Sequence, residues 1–561
     1  MNFILHKGKV LVHCMNRQES LRKLQQEEFD ICIIGAGASG AGCALDAALR
    51  GYKVALIDKQ DFASETSSKS TKLIHGGVRY LEQAFKKLDF AQLKQVRHGL
   101  EERHLVLNNA PHLARPLALV TPVNSWLEGL YFTIGLKMYD SFASNDSLPK
   151  SQWLSKSEVL KHIPTLSKSK VHSAVLYYDG QLDDARYCLA LVQSASEAGV
   201  VVANYVEVTG LGKGEGGKIR EVHVKDSQSG ESYSIKTKLV LNCTGPFSDH
   251  IRLMANAGLG ERIRPSKGVH AVLPYNTLNS DHAMLIPKTS DGRVVFAIPF
   301  EGAMILGTTD TESESLSVEP GLNEKEKQYL ADTLNPYLEE QIDISKLKAG
   351  FGGLRPLLSA ETNKSTKSLL RDHEVEIDAT SGLVSLLGGK WTTYRLMAKD
   401  AIDQIDGIFA KRNECSTASH ILAGGAGYLF ESYKKLASKY ALPTEVCQHL
   451  VKKYGSRAEE VCLLTVYDPD LKEALDSAYP YIRAEVVYCA KVEMAVTPRD
   501  FLARRIRLEI TDWETTLKVL PIVSDLMAKE LLWSDEKRDL EISTYKRKIE
   551  EFILAAGNRR V

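Results

Sequence analysis

Gly35, Gly37 and Gly40 have the spacing of a phosphate-binding turn, and Asp58, a little over twenty positions after the first of them, has the place of a ribose-binding acid. Gly35 permits a tight turn, Gly37 lets the backbone approach a pyrophosphate, and Gly40 brings a helix close to a strand. The chemistry implied is capture of an adenine dinucleotide. The elements that must position it are legible on either side. Residues 31–34, Ile-Cys-Ile-Ile, read as a strand buried on both faces. Residues 41–50 read as a helix of small side chains stopped by Gly51, and residues 52–57 as a second buried strand closing on Asp58. The helix start offers free N–H groups and the positive end of its dipole to phosphates. A glycine triplet alone arises by chance in any Gly-rich loop. The agreement of strand, turn, helix, strand and acid carries the assignment.

The next segment bears on which dinucleotide is held. Thr66, Ser67, Ser68, Ser70 and Thr71 form a hydroxyl-rich loop, and Leu73, His75, Gly76, Arg79 and Tyr80 follow it. A nicotinamide domain would continue into a crossover helix and a third strand. A second polar, glycine-containing turn suits instead the far end of a longer cofactor, such as a flavin. Residues 200–208 read as a strand that returns to the nucleotide sheet, where the backbone of Val206 borders the adenine position. Residues 238–242 read as another buried strand, ending at Thr244 and Gly245. At residues 383–394 the strand–glycine–helix construction recurs with Gly389, Lys390, Thr392 and Thr393. A second helix start aimed at the cofactor is what a flavin needs, because reduction places negative charge on its ring.

Taken in order, GAGASGAG, KLIHGG, APHLARP, YYDGQLDDAR, LVLNCTGP, ILGTTDTE, GLRPL, LLRDHE and LLGGKWTTYR resemble the FAD-dependent glycerol-3-phosphate dehydrogenases, quinone-linked relatives of the soluble glycerophosphate oxidases. The resemblance runs from residue 29 to residue 427, with a weaker likeness in the tail. It implies FAD as cofactor, glycerol 3-phosphate as substrate and a quinone as electron acceptor, with oxygen as the alternative acceptor; it leaves a homodimer open. Such a substrate is a dianionic phosphate ester with a secondary alcohol. It requires fixed cations, a group to take the hydroxyl proton, and flavin N5 to receive a hydride. Arg355 and Arg371 are the expected phosphate clamps, because a guanidinium binds phosphate oxygens in bidentate fashion. Arg79 and Tyr80 are placed to reach the same pocket. His270 and His75 both qualify as proton acceptor, with His270 ahead for substrate contact. Lys390 is expected to neutralise charge on substrate or reduced flavin, and Thr309 and Asp310 to shape the pocket. An isolated arginine is more often an ion-pair residue, and a lone histidine more often structural; position within the matched motifs sets these apart. An FAD-dependent amino-acid oxidase or demethylase would share the nucleotide turn but leaves GLRP, LLRD and GGKWTTYR unexplained. A non-catalytic flavoprotein that binds a partner through its tail is the other rival.

The expected fold class is α/β: a Rossmann-type FAD-binding domain (residues 29–115, 174–262 and 355–415), an antiparallel-sheet substrate domain (116–173 and 263–354) and a separate all-helical domain (416–561), with residues 1–28 a poorly ordered lead-in. The 561 residues suffice for two or three domains. Lys+Arg and Asp+Glu are both 71, so no global basic field attracts nucleic acid. Nine scattered cysteines without a CxxC pair argue against zinc and iron–sulfur sites, and no metal is expected. No apolar run is long enough to cross a bilayer, and the N-terminus lacks a signal-peptide pattern. A quinone acceptor nevertheless requires contact with lipid, and the expectation is a peripheral enzyme on the cytoplasmic face of the inner membrane, or else a cytoplasmic one. Residues 126–139 read either as a helix packed inside the substrate domain or as an aromatic membrane-contact element. The basic stretch around Arg504, Arg505 and Arg507 is the second anchor candidate.

Overall fold

The computed structural model of the chain describes residues 14–77, 90–142, 148–287, 289, 293–312, 316, 319–358, 373–411 and 413–558. The apolar strand Glu28–Ile34 lies at the centre of an eight-stranded sheet, pairing in parallel with Val54–Ile57 on one side and Ser232–Asn242 on the other. Val201–Ala203 and Val384–Gly388 extend it in parallel, and His373–Ile377 closes one edge antiparallel. Both faces of its centre are covered. The helix Ala38–Leu49 packs between the helices Asp184–Glu197 and Tyr394–Ile408, and its small side chains permit the approach: a Cβ on Gly42 would lie 2.9 Å from the Tyr394 ring. Val206–Lys213 and Ile219–Asp226 form an antiparallel meander with Ser232–Asn242.

The second sheet has ten strands and is mixed. Its antiparallel centre joins Ile263–Pro274 to Ala303–Gly307 and Ala349–Leu358, which sets His270 opposite Gly307 on one side and Phe351 on the other. Val295–Phe300, Ala283–Ile286, Ala114–Val123, Ser173–Leu182 and the short Leu73–Ile74 follow in order. Three strands assigned from sequence to the nucleotide region therefore belong here: Leu73–Ile74, Ser173–Leu182 and the 355–358 end of Ala349–Leu358. Leu73–Ile74 and Ser173–Leu182 are buried almost throughout, and burial alone does not say which sheet a strand joins.

Two further expectations change. Residues 17–26 are not a loose lead-in but a helix, Arg17–Gln26, whose Asn16 side chain accepts the Glu19 N–H and whose Leu24 is fully buried. Arg17 ties it to Asp226 at 2.6 Å. The C-terminal region is helical as read, with Ser432–Tyr440, Thr444–Tyr454, Ala458–Tyr467, Arg483–Val492, Trp513–Leu531 and Asp535–Ala555. Among the described residues its core is continuous with that of the substrate sheet, however: Leu450, Val487, Leu502 and Val519 share one apolar cluster with Val269, Leu306 and Phe351.

Candidate active site

The glycine turn is built as its spacing requires. Gly35 has a φ of +100°, and a Cβ there would lie 2.7 Å from the Cys243 carbonyl oxygen. On Gly40 a Cβ would lie 1.8 Å from the carbonyl oxygen of Gly35, so helix and strand meet only because that position is glycine. Gly37 faces Ser67, whose Oγ accepts the Ala38 N–H at 3.0 Å. The Ser67 carbonyl oxygen accepts Trp391 Nε1 at 2.9 Å, and Thr66 Oγ1 donates to the Leu354 carbonyl at 2.6 Å. Glycine turn, hydroxyl loop and second helix start thereby form one wall.

That wall encloses a cavity of about 220 Å³ bordered by Gly35, Gly37, Asp58, Thr66, Ser67, Val206, Thr244, Gly245, Gly389 and Lys390. Asp58 accepts the Ala36 N–H at 2.7 Å and the Gln60 N–H at 3.0 Å. Withdrawal from water pushes its carboxyl up to about 6, and the two N–H bonds oppose that shift. Lys390 precedes the single helical turn Trp391–Thr393, which Ser67 links to the start of Ala38–Leu49. A cradle that a Cβ on Gly37 would enter, an acid beside it and a run of backbone amides fit an extended adenine dinucleotide with a flavin end.

His270 is not in that wall; the loop reaches it. Thr71 Oγ1 lies 3.0 Å from His270 Nε2, and the ring stacks on Phe351 with centroids 4.6 Å apart. The imidazole is buried, its Nδ1 has no hydrogen-bond partner among the described residues, and burial lowers its pKa well below the usual value, helped by the nearby charges of Lys72 and Arg355. The Arg355 guanidinium lies over Gly268, where a Cβ would come within 2.3 Å of it. Its Nη2 donates to Thr308 Oγ1 and to the Thr309 carbonyl, both at 3.1 Å, and its Nη1 is 3.7 Å from Asp310. Thr309 and Asp310 thus brace Arg355 and the strand beneath it, with Thr309 Oγ1 accepting the Val269 N–H.

Several expected cofactor contacts have other roles here. Ser70 donates through both N–H and Oγ to Asp184, and Ser68 presents its carbonyl to Lys72 and Arg507. Both hold the loop from behind, because a loop that turns one face to a cavity needs partners on the other. Leu73 is buried among Leu117, Tyr177 and Leu285. Gly76 donates its N–H to Tyr139 at 2.7 Å and lies against Leu100 and Gly99. His75 sits near Phe296, with ring centroids 6.4 Å apart. Thr392 is buried, and Thr393 Oγ1 bonds back to the Lys390 carbonyl. Gly40 lets the helix meet the strand at the turn. Arg79, Tyr80 and Arg371 lie outside the described residues. The cavity wall also includes Phe247, Trp391 and Met397, which sequence reading missed; the Trp in GGKWTTYR was the one available signal. Lys72, buried against Asp184, had the same kind of signal, its place at the head of KLIHGG. Burial pulls its ammonium down to about 7, with Asp184 acting in the opposite direction.

Residues 30–395 match the family described as FAD dependent oxidoreductase, and residues 415–538 match the C-terminal domain of alpha-glycerophosphate oxidase. Mitochondrial glycerol-3-phosphate dehydrogenase of Macaca fascicularis is 40% identical over 545 residues, spanning 95% of this chain and 75% of that protein. The Homo sapiens enzyme is 40% identical over 542 residues, 94% of this chain and 74% of its own. Among solved structures, glycerol-3-phosphate dehydrogenase from Bacillus halodurans complexed with FAD aligns with a TM-score of 0.78 and 27% identity, covering 98% of this chain and 99% of that one. The L-alpha-glycerophosphate oxidase of Mycoplasma pneumoniae, at 18% identity and a TM-score of 0.53 over 68% of this chain and 95% of its own, shares the fold.

Proposed function

We propose that this chain, which belongs to the FAD-dependent glycerol-3-phosphate dehydrogenase family, oxidises sn-glycerol 3-phosphate to dihydroxyacetone phosphate and passes the electrons to a membrane quinone. The observation that carries the reading is that one loop, residues 66–71, both walls the dinucleotide cavity through Thr66 and Ser67 and touches His270 through Thr71. FAD, when bound, supplies the acceptor for the hydride that leaves the carbinol carbon. The protein's own groups do the rest. Arg355 binds the phosphate, its fork already oriented by Thr308 and Thr309. His270 takes the hydroxyl proton: it is neutral before substrate arrives, and a dianionic ester beside it raises its proton affinity at the moment a base is needed. Lys390, at the cavity wall, offsets negative charge at the flavin end. Steady-state turnover with an artificial dye acceptor tests the substrate. Glycerol 3-phosphate should be used far better than glycerol or an L-amino acid, and comparable use of glycerol would remove the phosphate site.

The quinone and membrane part rests on the helix Trp126–Phe142. Trp126, Leu127, Leu130, Tyr131 and Ile134 are large apolar side chains left exposed along one side, with Trp126 59% and Ile134 52% accessible. Leu136 and Tyr139 anchor the other side in the substrate region. An exposed aromatic and aliphatic stripe of this kind suits the headgroup level of a bilayer. No described helix is long and apolar enough to cross a membrane. The second anchor candidate is withdrawn, because Arg504, Arg505 and Arg507 are buried in ion pairs. Phe132 is likewise half-buried and packed, so the informative variant is Trp126→Glu with Ile134→Glu. It should lose sedimentation with anionic phospholipid vesicles and lose quinone reduction while keeping dye-linked turnover. Unchanged vesicle binding would refute the membrane assignment.

A further inference from the structure

The helical C-terminal region reaches the active-site loop through a row of buried charges. Between the helices Arg483–Val492 and Trp513–Leu531 the chain forms a wide helical turn, Asp500–Arg505, and Arg507 follows with a φ of +69°. Arg504 and Arg505 both bind Asp61, through Nε at 2.6 Å and Nη1 at 2.7 Å. This pins the turn to the segment just beyond Asp58. Arg507 goes further. Its Nη2 donates to the Ser68 carbonyl at 2.6 Å and to Asp184 Oδ1 at 2.8 Å, while Nη1 is fixed by the Ala503 carbonyl at 2.7 Å. Asp184 in turn accepts from Ser70 N at 3.0 Å, from Ser70 Oγ at 2.7 Å and from Lys72 Nζ at 2.7 Å, and Lys72 Nζ also donates to the Ser68 carbonyl at 2.8 Å.

Every residue on either side of Thr71 is therefore held by one carboxylate, and that carboxylate and the Ser68 carbonyl are both held by Arg507. Thr71 itself spends its hydroxyl on His270 Nε2. We propose that Arg507 is a positioning residue for the reaction: by fixing Ser68 and Asp184 it sets Thr71, and through Thr71 the orientation of the His270 imidazole. This rests on the proposed role of His270 as proton acceptor. It gives the C-terminal region a part in the chemistry although, among the described residues, it contributes none to the dinucleotide cavity wall. A guanidinium suits the place because it bonds two acceptors and an intrahelical carbonyl at once, whereas an ammonium is a point charge without that fixed geometry. Because the pair is sealed from water, loss of the cation leaves the Ser68 carbonyl one donor short and Asp184 with Lys72 as its remaining cationic partner, and the loop relaxes.

The test uses the full-length FAD-loaded protein with Arg507→Lys, Arg507→Met, His270→Gln and the double variant Arg507→Met/His270→Gln. Two readouts are followed: amide hydrogen exchange of residues 66–72 and the rate of flavin bleaching by glycerol 3-phosphate without oxygen. Arg507→Met should speed exchange at residues 66–72 and slow bleaching by about 10- to 100-fold at saturating substrate, the scale of a misplaced catalytic group. The concentration dependence should change less than threefold, because Arg355 is untouched. Arg507→Lys should fall between Met and the parent. The double variant should be no slower than His270→Gln alone, since both changes act through one group. If Arg507→Met does not fold, Arg507→Lys read by exchange at residues 66–72 decides, and parental exchange there overturns the proposal. So does a double variant in which the two losses multiply, or an Arg507→Met protein that melts earlier yet bleaches at the parental rate. Should the parent itself fail to bleach, the substrate reading fails while exchange still reports whether Arg507 holds the loop.

Discussion

Gly37→Val separates folding from cofactor capture. The φ and ψ of Gly37 are −76° and −176°, extended values that valine adopts without strain. A Cβ there lies against Ser67, with Oγ at 2.8 Å and Cβ at 3.8 Å, and Gly37 itself borders the cavity, which the added methyl groups are expected to crowd. To make room, the Ser67 hydroxyl must rotate and give up the Ala38 N–H, so the expected stability cost is one hydrogen bond, about 0.5–1.5 kcal/mol. Binding suffers more. The γ-methyl groups occupy the space a pyrophosphate needs to reach the amides of the following helix, and overpacking of a rigid site costs about 3 kcal/mol, or about 100-fold in Kd. The assay is FAD titration of the apoprotein by fluorescence, with denaturant unfolding of the same apoprotein. The expected result is a Kd raised by two orders of magnitude or more and a nearly unchanged unfolding midpoint. Parental FAD affinity would show that the pyrophosphate does not approach Gly37, and the cavity would have to be read again.

Arg355→Lys keeps the charge but loses the fork that Thr308 and Thr309 orient. It should lower kcat/KM for glycerol 3-phosphate by about 1.5–3 kcal/mol with an unchanged flavin spectrum, and unaltered kinetics would remove Arg355 from the phosphate site. Stability should fall below pH 6.5. Burial, and then the charges of Arg186 and Arg457, pull the His112 imidazole down to about 3 in the folded protein, so the unfolded chain binds the extra proton as pH falls. The contribution is complete above the unfolded pKa near 6.5 and is lost by about 1.4 kcal/mol per pH unit between there and pH 3. His112→Gln should flatten that slope in urea titrations at pH 4.5 to 6.5, and equal slopes would contradict the assignment.

The parts of this protein that were legible in its sequence are those set by local rules. The turn at Gly35, Gly37 and Gly40 needs only adjacent residues, and the strands around it are apolar enough to have one home. What was not legible depends on partners far along the chain. Ser68 and Ser70 look like cofactor ligands because hydroxyls in such loops often are, but the Ser70 hydroxyl is taken by Asp184, more than a hundred residues on, and the Ser68 carbonyl by Arg507, more than four hundred residues on. Arg504, Arg505 and Arg507 look like a basic surface until Asp61 and Asp184 are brought beside them. The helix Trp126–Phe142 shows the converse: its composition allowed a buried or an exposed reading, and only the packing of Leu136 and Tyr139 distinguishes the two sides. The helix Arg17–Gln26, polar over most of its surface, is held by buried Leu24, by the Arg17–Asp226 ion pair and by Arg17 hydrogen bonds to Asn204, none of which a local pattern announces.

The most direct test of the central claim is a single anaerobic mixing of the purified, FAD-loaded protein with glycerol 3-phosphate, followed by the flavin absorbance band and by assay of the product. The account predicts rapid bleaching with one dihydroxyacetone phosphate formed per flavin, and bleaching slowed by orders of magnitude in His270→Gln. A flavin band that stays oxidised in the parent protein while dithionite reduces it normally would contradict it.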